Sequence, residues 1–219
     1  MLRVVHRRTL LIIVGALAVF SARAQGRDQP GALFDSLAVS GWYFNCTGRY
    51  TNVMATDVLL IGFGGGIVID HWLEIGLAGA WSSSAIKNPA YENYLQGQTT
   101  ANLQGLELRY GYGGVMVEPL ILHRSAVHLG VPILVGMGSA SYSYPSSNSG
   151  SDSNQRNRTE GQAFFVVEGG LELEVSVVRS LRIGVGGSYL YASDLELPNT
   201  APDALRNFMA RMSVTVGKF

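Results

Sequence analysis

Side chains able to do chemistry are sparse and widely spaced in this chain of 219 residues. Glu172 and Glu174 sit two apart, which places both carboxylates on one face of a strand and could suit the acid pair of a glycosidase. The stronger reading of the same spacing is a buried acid network answered by arginines. His71 and His123 fall in short links between strands and His128 at the start of a strand, too scattered to hold a metal together. No histidine lies among the long links, so a hydroxyl nucleophile there would lack its base. Cys46 is the single cysteine; it cannot form an internal disulfide or a cysteine zinc site, and it reads as a buried or interface thiol. Gly62–Gly66 lies inside a strand with no Gly-Lys-Ser/Thr after it, so it is no phosphate loop. Asn45-Cys46-Thr47 and Asn157-Arg158-Thr159 fit the glycosylation pattern by chance. No catalytic residue, metal or cofactor is assigned.

Those carboxylates need elements that position them, and the mature chain alternates with period two, the mark of strands. From Leu59 the odd positions read Leu, Ile, Phe, Gly, Ile, Ile, while Gly62, Gly64 and Gly66 occupy even ones. Similar alternation runs through Leu73–Trp81, Val127–Met137, Phe165–Val175, Leu181–Tyr191 and Phe208–Val216. Less regular strand-like segments cover Leu37–Cys46 and Leu106–Glu118, which makes eight strands. Glu118 breaks the alternation of its strand, which predicts a bulge or a strand end there, and Pro132 predicts a bulge because it cannot donate to a ladder. Links at Asp70-His71, Leu122–Arg124 and Val178–Ser180 are short. Those at Thr47–Thr56, Ser83–Asn102, Ser143–Gly161 and Ser193–Asp203 are long and polar. An up-and-down antiparallel order then puts every long loop at one end and both termini at the other, the asymmetry of outer-membrane barrels.

Which face points inward follows from residue type. The less apolar face is mostly Gly, Ala and Ser, which suits the crowded interior of an eight-stranded barrel. Lysine, common on water-facing strands, occurs only at Lys87 and Lys218. Charges on that face form a predicted lumen network of Glu74, Glu107, Arg109, Glu168, Glu172, Glu174, Arg182 and Arg211, with a sum of −2. If Val177 pairs with Leu181, Arg182 stands opposite Ser176 and diagonal to Glu174, within reach of an ion pair. A dense network plugs the lumen; a looser one leaves a narrow, cation-favouring channel. Trp42, Trp81, Tyr142, Tyr144, Tyr189 and Tyr191 fall where strands meet long loops and read as an aromatic girdle at the outer interface.

Composition agrees. Gly is 27 of 219, charged residues are 15% and hydrophobic residues 47%, which excludes a disordered chain and a basic nucleic-acid binder. Residues 1–24 have the layout of a secretory signal peptide: Arg3, Arg7 and Arg8, an apolar run from Leu10 to Phe20, and Ala22-Arg23-Ala24 as a small-x-small cleavage site. Without that segment the chain carries 12 basic and 16 acidic residues, a net charge of −4. Residues 25–35 read as a short linker and 36–219 as the barrel.

Gly41-Trp42-Tyr43, Gly64-Gly65-Gly66-Ile67-Val68-Ile69-Asp70-His71, Tyr112-Gly113-Gly114, Phe164-Phe165-Val166-Val167-Glu168-Gly169-Gly170 and the terminal Gly217-Lys218-Phe219 carry a resemblance. The chain resembles the small eight-stranded outer-membrane β-barrels of Gram-negative bacteria, of the OmpA/OmpX plan, and in detail uncharacterised barrels that end in Gly-Lys-Phe. The resemblance implies an all-β, eight-stranded antiparallel up-and-down transmembrane barrel in the outer membrane, behind a cleaved signal peptide. It also implies outer-membrane lipid as surroundings and a terminal Phe219 read by the barrel-assembly machinery. Gly217, Thr215 and Ser213 replace the apolar residues that usually alternate before such a terminus, so either a bulge near Gly217 shifts the phase or the signal is weak. The expected role is non-enzymatic: structural, adhesive or surface recognition, by a monomer whose four loops meet an external ligand or host surface. Passive passage of small solutes and a soluble periplasmic ligand-binding barrel are the alternatives.

Overall fold

In the computed structural model, residues 38–98, 106–122, 125–145 and 156–219 are described, and Ala38–Phe219 form one unit. The expected signal peptide at 1–24, the expected linker at 25–35 and His123 lie outside them. Among the described residues ten strands and one helix follow in chain order: β1 (Val39–Val53), β2 (Thr56–Ile69), β3 (Leu73–Ser82), β4 (Ile86–Lys87), α1 (Pro89–Gln98), β5 (Glu107–Ile121), β6 (Val127–Gly130), β7 (Ile133–Pro145), β8 (Arg156–Val178), β9 (Leu181–Ala192) and β10 (Asn207–Lys218). Every pairing is antiparallel, and β10 closes on β1 from Trp42 opposite Lys218 to Tyr50 opposite Ala210. With β6 and β7 as one stave, and β4 as a two-residue addition to β5, the ring has eight staves. Closure leaves no sheet edge, the condition for a sheet to cross lipid.

Strand alternation becomes inside against outside. In β10 the inward residues are Met209, Arg211, Ser213, Thr215 and Gly217; the outward ones are Phe208, Ala210, Met212, Val214, Val216 and Lys218. Outward positions elsewhere carry Leu77, Val115, Val135, Met137, Leu171, Leu173, Ile183 and Val185, all exposed, whereas Glu74, Glu168, Glu172, Arg182 and Arg211 are buried. A water-soluble barrel would have these populations reversed, because exposing that much contiguous apolar wall to water is unfavourable. The soluble reading is therefore set aside. Among the described residues no helix is long and apolar enough to cross a membrane; the crossing is made by strands.

Three local expectations change. Thr47–Thr56 is not a long loop: β1 continues to Val53, and Met54 and Ala55 turn it directly into β2 with φ of 49° and 58°. Two-residue turns of this kind need positive φ at both positions and usually advertise themselves with Asn-Gly, a signal absent here. Pro132 causes no bulge. The ladder only pauses at Val131-Pro132, since Leu120 opposite Gly130 and Val117 opposite Ile133 keep one register. Near the C-terminus, β10 pairs β1 without a register shift, so no bulge forms at Gly217 and Phe219 continues the inward row.

Candidate functional site: the filled lumen

The lumen is divided along its length. Towards the loop end it is apolar: Tyr110, Tyr112, Leu134, Phe164, Leu190 and Met209 interdigitate from five staves. Side chains from the connecting segments cover them, Ile86 and Tyr91 on one side, Leu195, Leu197 and Leu205 on the other. Tyr142 ties this cap together. Its hydroxyl accepts from Asn88 Nδ2 at 2.6 Å and shares a hydrogen bond with Thr200 Oγ1 at 2.6 Å, while Asn88 Nδ2 also donates to the carbonyl of Asn199 at 3.0 Å. Tyr91 packs on Tyr142 with ring centroids 4.9 Å apart. The covering segments are thus bonded to the barrel wall and to each other.

Towards the turn end the lumen is charged. Arg49 Nε donates to Glu168 Oε1 at 3.0 Å, and Tyr112 Oη and Ser188 Oγ donate to the same carboxylate at 2.7 and 2.9 Å. Arg49 Nη1 also donates to Thr47 Oγ1 at 2.7 Å. Below it, Arg211 Nε lies 2.6 Å from Glu172 Oε2, and Ser213 Oγ donates to Glu172. Gly186 stands in register between Arg211 and Glu172, so no side chain separates the pair. Lowest is Arg182, opposite Ser176, whose Nη1 reaches Glu74 Oε1 at 2.9 Å and Glu174 Oε2 at 3.6 Å. In the ring, β9 and β3 are four staves apart, so Arg182–Glu74 spans the lumen from wall to wall. Such bridges are worth keeping once formed, because a charge left alone in a dry interior is far costlier than a paired one.

Two predicted members of the network are elsewhere. Glu107 and Arg109 lie on the outward row of β5, where they pair with each other at 3.3 Å and Arg109 is exposed. The inward row of that strand is the even one, Leu108, Tyr110, Tyr112, Met116 and Glu118, so the residue that breaks the alternation is the lumen carboxylate, and β5 neither bulges nor ends there but runs on to Ile121. Arg49 escapes a reading of the sequence because its segment looks like a polar loop. A signal exists in Gly62: a Cβ there would meet Arg49 Nη1 and Thr47 Oγ1, so the glycine run leaves room for a large inward side chain. With Glu118 and Arg49 replacing Glu107 and Arg109, the inward charges among the described residues are five carboxylates against three guanidiniums. Glu118 is directly opposite Glu74 in the ladder, and its Oε1 is buried with no hydrogen-bond partner, as is Tyr43 Oη.

The aromatic girdle also needs correction. Trp81, Tyr189 and Tyr191 face outward towards the loop end, with Tyr189 4.8 Å from the Phe208 ring and Arg206 stacked 4.7 Å over Tyr191. Trp42 faces outward at the opposite end, opposite Lys218 and Ile67, because β1 begins there. Tyr142 is fully buried in the cap rather than at an interface. Tyr144 is in β7, its side chain outside the described residues. The thiol of Cys46 is not buried; it is on the outward row between Phe63 and Val214.

Glu172 and Glu174 are each engaged by an arginine. His128 is buried, its Nε2 3.0 Å from Ser176 Oγ and its Nδ1 3.4 Å from the carbonyl of Leu122, while His71 is exposed in its turn. Among the described residues no group of three or more His, Cys, Asp or Glu side chains could hold a metal.

The closed ring of eight staves with its apolar outer belt has counterparts among solved structures. Neisserial surface protein A superposes with a TM-score of 0.53 at 13% identity, over 82% of this chain and 96% of that one. This chain has the fold of the small outer-membrane β-barrels. A major outer membrane protein of Thermus thermophilus matches this barrel with a TM-score of 0.50 at 8% identity, over 80% of this chain and 99% of that one. The N-terminal barrel domain of Pseudomonas aeruginosa OprF covers 82% of this chain and 98% of its own at 9% identity, with a TM-score of 0.46. No family model and no curated protein matches the sequence. The barrel is an outer-membrane barrel in fold and in the polarity of its wall.

Proposed function

We propose that this barrel is a non-enzymatic, non-conducting monomer of the outer membrane that presents the bonded cap at its loop end as a surface for adhesion or recognition. The observation that carries the reading is the lumen itself, closed twice over by unlike materials: an apolar plug under the bonded cap, and below it buried ion pairs, of which Arg182–Glu74 runs from wall to wall. A surface held by Asn88, Tyr142 and Thr200 is pre-organised, which lowers the entropic cost of meeting an external ligand or host surface. In the same proposal residues 1–24 are removed on export, Gln25 begins the mature chain, and the barrel-assembly machinery inserts it. The excess of two lumen carboxylates favours the second reading, slow passage of small cations. Planar-bilayer recording decides between them. The wild type is expected to give no steady single-channel steps, and steps that change on Arg182→Met would establish conduction and overturn the closed-lumen reading.

A further inference from the structure

We propose that Phe219, beyond any part in assembly, is a lumen latch that seals the turn end of the finished barrel. The inward row of β10 runs Arg211, Ser213, Thr215, Gly217, and the next inward position is Phe219. Lys218, Val216, Val214 and Met212 form the lipid-facing row, so the terminal ring is on the other face from the apolar stripe of its own strand. The ring is placed under the guanidinium of Arg182, 3.5 Å from its Cζ, and packs against the buried set of Tyr43, Val68 and Met116. Arg182 is the cation that ties Glu74 on the far wall to Glu174 on the near one. A ring stacked on that cation excludes water from the lowest ion pair and strengthens it, because electrostatic attraction grows as the local dielectric falls.

The seam leading to the ring is built for close approach. Gly217 follows β1 so tightly that a Cβ there would collide with the carbonyl oxygen of Trp42, and its N–H donates to the carbonyl of Ser180 at 3.0 Å. The last residue is thus drawn towards the β9 turn, from which Arg182 projects.

A latch acts in the absence of any assembly factor, and an assembly signal does not. The full mature chain is therefore refolded from urea into phosphocholine vesicles with no added protein, and unfolding is followed by tryptophan fluorescence and by heat-modified gel mobility. Phe219→Ala is expected to unfold about threefold to thirtyfold faster than the wild type, the range of a partly desolvated cation–ring contact. Phe219→Leu, which keeps apolar volume but no ring face, is expected between them, and Phe219→Trp close to the wild type. The Nε–Hε resonance of Arg182 should carry a ring-current shift that disappears in Phe219→Leu. Equal unfolding rates for the leucine, tryptophan and wild-type chains, or an unmoved Arg182 resonance, would overturn the latch. If the alanine chain does not refold, the leucine and tryptophan chains decide by the same criteria.

Discussion

The two halves of the lumen solve one problem with opposite chemistry. The loop half is filled by rings and branched chains and is closed by segments that fold back over it. The turn half is filled by arginines and carboxylates, with Gly, Ser and Thr making room between them. Apolar packing is non-directional and tolerates imperfect partners at modest loss. Ion pairs across a dry lumen are directional, and each partner is compensated only by the other. The loop half can therefore accept side chains from connecting segments, whereas the turn half has to be assembled from strands whose register is already set.

This contrast can be broken at either half. The largest effect is expected in the turn half: Arg182→Met strands Glu74 and Glu174 together and should cost about 3–5 kcal/mol, read as the urea midpoint of refolded protein in vesicles. If that midpoint does not move, the charged half contributes no stability. In the loop half, Leu190→Ala removes one fully buried side chain and should cost about 2–4 kcal/mol by the same assay, with the turn-half ion pairs retained. The smallest effect has the opposite sign. Glu118→Gln removes a buried carboxylate that faces Glu74 and whose Oε1 has no donor, and should raise the midpoint by about 1 kcal/mol. A loss of stability on that substitution would mean that Glu118 balances Arg211 rather than crowding Glu74.

Much of the barrel is legible in the sequence, and the exceptions are instructive. Alternation in Val127–Met137, Leu181–Tyr191 and Phe208–Val216 places those rows correctly because one face is almost purely apolar. It fails in β5, where apolar Leu108, Tyr110 and Met116 are inside with Glu118, and outward Gly111 and Gly113 leave the lipid face bare. With large apolar side chains inside and glycines outside in its loop half, residue type alone cannot say which face of this strand is which. Arg49 is missed for a different reason: a turn made by Met54 and Ala55 looks like the interior of a polar link. The same reading puts Trp42 at the wrong end of the barrel, since it ends β1 before the strand has crossed.

Side-chain period and residue type alone dictate eight alternating staves, with carboxylates and small residues on the face hidden from lipid. Those are one-dimensional properties, set by side-chain period and by the cost of exposing charge to hydrocarbon. Which arginine answers which carboxylate, the place of Tyr142 as a strut of the cap and the inward turn of Phe219 emerge only in the folded barrel. These depend on closure: Arg182 and Glu74 are 108 positions apart in sequence and become partners only when the ring brings opposite walls within one side-chain length.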